Sequence, residues 1–223
     1  MSAFKAILFD YDDTLVDTYD ARLKAAEVAA KGILDPNLDM DFVKKEWAGR
    51  PQKDIWLDLT QGSEERASEL NERYANHYWN ITTHDVTPFP GTREMLEAAK
   101  SAGIKLAIVT SKIKAMQGKN GTYGVVVELE RLGLTELFEV VVGWPDVTES
   151  KPAPAPLLYA LNRLGEEPSS ALMVGDSHID VRASKNAGVA SAAALWGTLR
   201  KDLLMEARPD HLLDAPSDLR AIL

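Results

Sequence analysis

The first apolar run of the chain, Ala6-Ile7-Leu8-Phe9, leads straight into Asp10-Tyr11-Asp12-Asp13-Thr14. Side chains alternate along an extended strand, so Asp10 and Asp12 point the same way at its carboxyl end. Two carboxylates that close repel each other unless a cation sits between them or one of them holds a proton. Either outcome is a starting point for chemistry, as a metal site or as an acid/base pair. An acidic loop capping a following helix would use the same residues and do neither.

Further reactive groups follow in order. Ile104-Lys105-Leu106-Ala107-Ile108-Val109 is a second apolar run and ends in Thr110-Ser111. Lys151 opens Lys151-Pro152-Ala153-Pro154, and Ala171-Leu172-Met173-Val174 ends in Gly175-Asp176-Ser177-His178-Ile179-Asp180. Singly, each has a plain explanation: Thr110 as a helix cap, Lys151 as an exposed lysine before proline, Asp176 as a turn residue after glycine. As an ordered set they resemble the haloacid dehalogenase superfamily of phosphotransferases over nearly the whole chain. Asp10 to Thr14 is similar to its first motif, Thr110 or Ser111 to its second, Lys151 to its third, and Gly175-Asp176 through Asp180 to its fourth.

The resemblance implies roles. Phosphate-ester hydrolysis asks for an in-line nucleophile, an acid for the leaving oxygen and positive charge around the equatorial oxygens. Asp10 would be the nucleophile, forming an aspartyl-phosphate that divides one hard step into two easier ones. Asp12 would protonate the leaving alcohol and later deprotonate water. Thr110, with the amide of Ser111, would bond a phosphoryl oxygen, and Lys151 would neutralise the phosphoryl group and Asp10. The expected cofactor is Mg2+, which favours hard oxygen ligands, bound by Asp10 and Asp176 through side chains and Asp12 through its backbone carbonyl. Asp180 would act directly or from behind another ligand. His178, inside the fourth motif, is read as solvent-facing or helix-capping rather than as a ligand.

The elements that must hold these groups are short, continuous apolar runs: Ala6 to Phe9, Lys105 to Val109, Phe138 to Val142, Ala171 to Val174 and Val189 to Leu195. Continuous rather than alternating character points to strands buried on both faces of a parallel sheet. Helical patterns at Thr92 to Ala102, Pro156 to Leu164 and Ile179 to Ala187 separate them, each stopped by a glycine. Strand and helix in alternation give a doubly wound, Rossmann-like α/β fold whose ligands bind at the carboxyl ends of strands. Those ends are where the motifs fall. Gln117 to Gly124 holds three glycines and an Asn-Gly step; it reads as a loop, in a place where the family leads one to expect uninterrupted helix.

Residues 19–87 break the alternation with helical stretches at Ala21 to Ile33, Asp39 to Ala48, Lys53 to Leu59 and Ser63 to Trp79. The expected division is a catalytic core of residues 1–18 and 88–223, with residues 19–87 inserted after the first strand as a small helical cap. Substrate-binding candidates there are Arg50 and Lys53, in the turn Gly49-Arg50-Pro51-Gln52-Lys53; Arg50 could grip a carboxylate or second phosphate with a planar fork. Trp47, Trp56, Tyr78 and Trp79 read as packing residues. Asp12 argues for phosphoryl rather than carbon–halogen chemistry, since the resembled dehalogenases lack an acid there. The closest resemblance is to phosphoglycolate phosphatase-like enzymes, with a β-phosphoglucomutase-type sugar phosphomutase, a pyrophosphatase or a nucleotidase as alternatives, and a non-catalytic phosphate-binding protein more remotely.

Composition narrows the field further. The 223 residues suit one domain or a core with a modest insertion, and 45% hydrophobic with 26% charged residues is ordinary for a globular chain. A net charge of -9 argues against a nucleic-acid surface. It does not bar an anionic substrate, because a bound divalent cation reverses the local field. With no cysteine, thiolate catalysis, thiolate metal sites and disulfides are excluded. No apolar stretch suits a bilayer and the start lacks a signal-peptide layout, so the expectation is a cytoplasmic monomer or homodimer acting on a small phosphorylated metabolite, with no nucleic-acid or membrane partner.

Overall fold

The structure, a computed structural model, describes residues 4–35, 37–39, 43, 52–118 and 121–223. In chain order it runs β1 (Ala6–Phe9), β2 (Val16–Asp17), α1 (Tyr19–Ala30), α2 (Gln52–Leu59), α3 (Glu64–Asp85), β3 (Thr87–Pro88), α4 (Thr92–Ser101), β4 (Lys105–Ile113), β5 (Met116–Gly118), β6 (Gly121–Tyr123), α5 (Val125–Leu132), β7 (Val140–Trp144), α6 (Ala155–Leu164), β8 (Ala171–Gly175), α7 (His178–Ala187), β9 (Ala190–Ala194), α8 (Lys201–Glu206) and β10 (His211–Leu213).

Six strands form one sheet in the order β10-β9-β8-β1-β4-β7, and every pairing in it is parallel. Winding runs from β1 outward through β4 and β7, then returns to the other side of β1 with β8. The strand order therefore reverses beside β1, where doubly wound sheets open a crevice for ligands. Alternation explains the unbroken apolar runs. Ile7, Phe9, Leu106, Ile108, Leu172 and Val174 face one core with Met95, Leu96 and Ala99 of α4 and Leu129 of α5. Ala6, Leu8, Ala107, Val109, Ala171 and Met173 face another with Leu157, Ala160 and Leu161 of α6 and Ala183 and Ala187 of α7. Both sides of each strand are covered, and each fully buried Leu or Ile contributes about 1.5–3 kcal/mol relative to exposure. On α4 the buried Thr92, Met95, Leu96 and Ala99 keep the i, i+3, i+4, i+7 spacing of a single face.

The chain divides into two compact units, Met1–Asp17 with Thr87–Leu223, and Thr18–Val86. The second is helical among its described residues, with a core that includes Ala25, Ala26, Ala29, Ile55, Trp56, Leu70, Tyr74 and Tyr78; Tyr74 and Tyr78 stack at 5.3 Å between ring centroids. Trp56 and Tyr78 are buried there, while Trp47 lies outside the described residues. No helix among the described residues is long and apolar enough to cross a membrane.

Four features differ from the sequence expectation. Strand β4 continues to Ile113 rather than stopping at Val109. The glycine-rich stretch is not simply loop: β5 and β6 pair antiparallel, Met116 with Tyr123 and Gly118 with Gly121. Helix α3 runs on to Asp85, and the three-residue β10 adds an edge strand beside β9.

Candidate active site

Asp10 stands one residue past β1, and its N–H still bonds the Val174 carbonyl of β8 at 2.9 Å, so the strand ladder fixes its backbone. The chain then folds back tightly. Asp13 takes a left-handed conformation (φ 60°), tolerated by aspartate better than by most residues, and its N–H reaches the Val16 carbonyl at 2.7 Å. Thr14 hydroxyl donates to Asp176 Oδ1 at 2.9 Å, and the Trp196 indole N–H donates to the Thr14 carbonyl at 3.0 Å. First and fourth motifs are thereby tied together by a residue to which sequence reading assigned no role.

The two carboxylates of the first motif each have their own lysine. Lys151 Nζ lies 2.9 Å from Asp10 Oδ1, and Lys112 Nζ lies 3.1 Å from Asp12 Oδ1. Lys151 spends its other donors on Asp180 Oδ1 at 2.7 Å and the Val109 carbonyl at 2.9 Å, which satisfies all three hydrogens of an ammonium. Burial opposes its charge, but Asp10 and Asp180 outweigh burial and hold the ammonium above its ordinary value. Asp180 Oδ2 accepts from the Ser177 N–H at 3.1 Å and hydroxyl at 2.6 Å, completing the capping box that starts α7. With both oxygens so engaged, Asp180 is foremost the residue that holds Lys151.

Gly175 makes this arrangement possible, because a Cβ there would run into the Asp180 carboxyl group. Gly175→Ala should therefore displace Asp180 or strain β8. The expected result is a loss of about 1–3 kcal/mol, read as a thermal midpoint several degrees lower, together with reduced turnover. Unchanged melting and turnover would show that Asp180 is free to shift.

Thr110, Ser111 and Lys112 come from an irregularity in β4. The ladder pairs Val109 with Val142 and next Ile113 with Trp144, so three residues stand opposite Gly143 alone. Such bulges re-aim side chains beside functional sites. Gly143 allows it, since a Cβ there would sit 2.7 Å from the Lys112 carbonyl. Thr110 is buried, its Oγ1 accepting from the Lys112 N–H at 3.1 Å. Ser111 is exposed, and a cavity of about 140 Å³ opens against Thr110, Ser111 and Lys151.

Sequence reading missed Lys112. Its ammonium lies 2.8 Å from Glu128 Oε2 and over the Tyr11 ring, 5.1 Å from the centroid. Burial opposes its charge too, and Asp12 and Glu128 together raise it above the ordinary lysine value. The available signal was Glu128 itself, which falls between Val125 and Leu129 on the buried face of α5, where an apolar residue would pack.

Carboxylate oxygens of Asp10, Asp176 and Asp180 lie within 4.8 Å of one another and could hold a cation. The donors are all hard oxygens, which suits magnesium rather than a thiophilic metal. Burial pushes the Asp10 carboxyl up, Lys151 pulls it down, and Asp180 and Asp12 push it up again. The net rise is owed first to burial; the donor set itself, three carboxylates together, is what a divalent cation would fit. The Asp12 carboxylate is outside this group, leaving its backbone carbonyl as a possible donor. His178, expected to face solvent or cap, is buried instead; Ser177 is the N-cap, and burial, then Arg182, lowers the imidazole's affinity for a proton. Arg50 lies outside the described residues, and Lys53 is exposed on α2.

The profile of the haloacid dehalogenase-like hydrolases matches residues 7–194, and the chain belongs to that family. A phosphoglycolate phosphatase from Aquifex aeolicus is 35% identical, over 96% of this chain and 94% of its own length. The pyrophosphatase PpaX of Oceanobacillus iheyensis is 30% identical, over 99% of this chain and 97% of its own. A crystal structure from Haemophilus somnus, described as that of a predicted phosphoglycolate phosphatase, is similar with a TM-score of 0.85 at 26% identity, over 100% of this chain and 99% of that one.

Proposed function

We propose that the protein is a magnesium-dependent phosphatase that hydrolyses a small phosphate monoester through an aspartyl-phosphate on Asp10. The observation that carries this reading is Lys151, clamped between Asp10 and Asp180 beside Asp176 and the buried Thr110. A nucleophilic carboxylate, a fixed cation and a group of hard oxygen ligands are what transfer of an anionic phosphoryl group needs.

In the first half-reaction an Asp10 oxygen bonds to phosphorus as the bond to the leaving oxygen breaks, and the Asp12 carboxyl gives that oxygen its proton. Lys151, the Thr110 hydroxyl and the Ser111 amide steady the phosphoryl oxygens. In the second, the Asp12 carboxylate takes a proton from water as the water oxygen bonds to phosphorus and the bond to Asp10 breaks, which returns both groups to their starting states. Magnesium, held by Asp10 and Asp176 with the Asp12 carbonyl, supplies further positive charge when bound.

These core residues are occupied by the transferring group, so choice of substrate falls to the helical unit, with Arg50 and Lys53 as the proposed contacts. Phosphoglycolate is the favoured substrate, in keeping with the Aquifex relative. The PpaX relatives favour pyrophosphate as the second reading, with phosphate itself as leaving group. A panel of phosphate monoesters run beside pyrophosphate and a sugar-phosphate isomerisation assay decides among them. Highest kcat/KM with phosphoglycolate is the expected result, and isomerisation without phosphate release would replace hydrolysis with mutase chemistry.

A further inference from the structure

The Lys112–Glu128 pair has no part in phosphoryl chemistry as set out above, yet it is among the most deeply buried ion pairs in the core unit. Side-chain exposure is 3% for Lys112 and 0% for Glu128. Stability does not explain it, because a buried pair gains little over apolar residues of similar volume and often loses to them. Glu128 also occupies a position between Val125 and Leu129 where such a residue would fit.

The geometry points to another use. The Asp12 side chain is 22% exposed at the head of a tight turn, and a short side chain so placed would ordinarily sample several rotamers. Its Oδ1 is held by Lys112 at 3.1 Å. Lys112 is in turn fixed by Glu128 on one side and the Tyr11 ring on another, and its backbone is set by the β4 bulge that also places Thr110. One irregular stretch of strand thus aims both the phosphoryl-binding hydroxyl and the anchor of the acid/base.

We propose that Lys112, anchored by Glu128, is a positioning residue that holds the Asp12 carboxyl in the single orientation from which it exchanges a proton with the leaving oxygen. This rests on Asp12 being the acid/base and Asp10 the nucleophile. Proton transfer in the transition state tolerates little misplacement, so the pair acts through orientation rather than by touching substrate.

The test exploits leaving groups. An alkoxide needs a proton as it departs, whereas p-nitrophenolate does not, and kcat/KM reports the first, phosphorylating half-reaction for both. The double variant Lys112→Met/Glu128→Gln removes both charges of the buried pair together, so that Glu128 is not left as a buried ion without its lysine and only the partly exposed Asp12 loses a charged partner. For an alkyl phosphate such as phosphoglycolate, kcat/KM should fall ~10²-fold, at the lower end of what a general acid contributes, while p-nitrophenyl phosphate changes by no more than about threefold. Equal losses on both substrates would mean a structural or phosphate-binding role, and an unchanged alkyl ester would mean no role; each overturns the proposal. Should the double variant fail to fold, the same ratio measured on Lys112→Gln decides. Either failure leaves Asp10 as nucleophile untouched, since that assignment stands or falls on Asp10 variants alone.

Discussion

Asp10→Asn is expected to abolish turnover while leaving the fold at least as stable as the wild type. The amide is nearly isosteric, and its oxygen can still accept from the Tyr11 N–H, which now reaches Asp10 Oδ1 at 2.8 Å. Lys151 loses one charged partner but keeps Asp180 and the Val109 carbonyl. Burial already disfavours the Asp10 carboxylate, and a neutral side chain relieves that cost. What the amide cannot do is attack phosphorus, so the loss should exceed the ~10²–10⁴-fold typical of removing a general acid or base. Steady-state turnover beside a thermal melt measures both halves of the statement. Retained activity in the purified variant, or a trapped phosphoryl group on any other residue, would remove Asp10 as nucleophile.

The acids of that prediction were legible because each follows a short apolar run at the carboxyl end of a strand, a place where local pattern and chemistry coincide. Asp10, Asp176 and Asp180 converge because β1 and β8 are neighbours in register, Phe9 beside Val174, and Lys151 joins them from the turn between β7 and α6. The failures share a cause as well. The strand was expected to stop at Val109, because nothing in the sequence says that Ile113 rejoins the ladder against Trp144 after the bulge. Lys112 meets Asp12 across 100 positions of chain, and a single lysine has no local mark of burial. Glu128 carried the only hint, as a charge on an apolar helix face. His178 misled in the opposite direction, since a histidine at a helix start among acids reads as exposed although the α7 packing buries it. The β5–β6 hairpin was hidden because its strands are three residues each, too short for a period to show.

Activity should depend on a divalent cation and disappear with EDTA, and the charge balance at the site explains why. Asp10, Asp176 and Asp180 bring three carboxylates together with one lysine, which pairs with two of them, and the substrate adds a phosphate. Two like charges 4 Å apart repel by about 4 kcal/mol at an effective dielectric constant of 20, so full occupancy without a cation is prohibitive. Binding should also register without turnover: magnesium that prefers the folded protein raises the thermal midpoint in proportion to the logarithm of its concentration. Asp176→Ala removes one ligand and leaves the Thr14 hydroxyl without its acceptor at 2.9 Å. Both effects weaken the site, but only the first responds to the ion. The variant should therefore need far more magnesium for a given midpoint shift, and part of its activity should return at high concentration. Full activity in metal-free buffer, or a midpoint that magnesium leaves unmoved in the wild type, would sink the metal site and return the three carboxylates to a purely structural role.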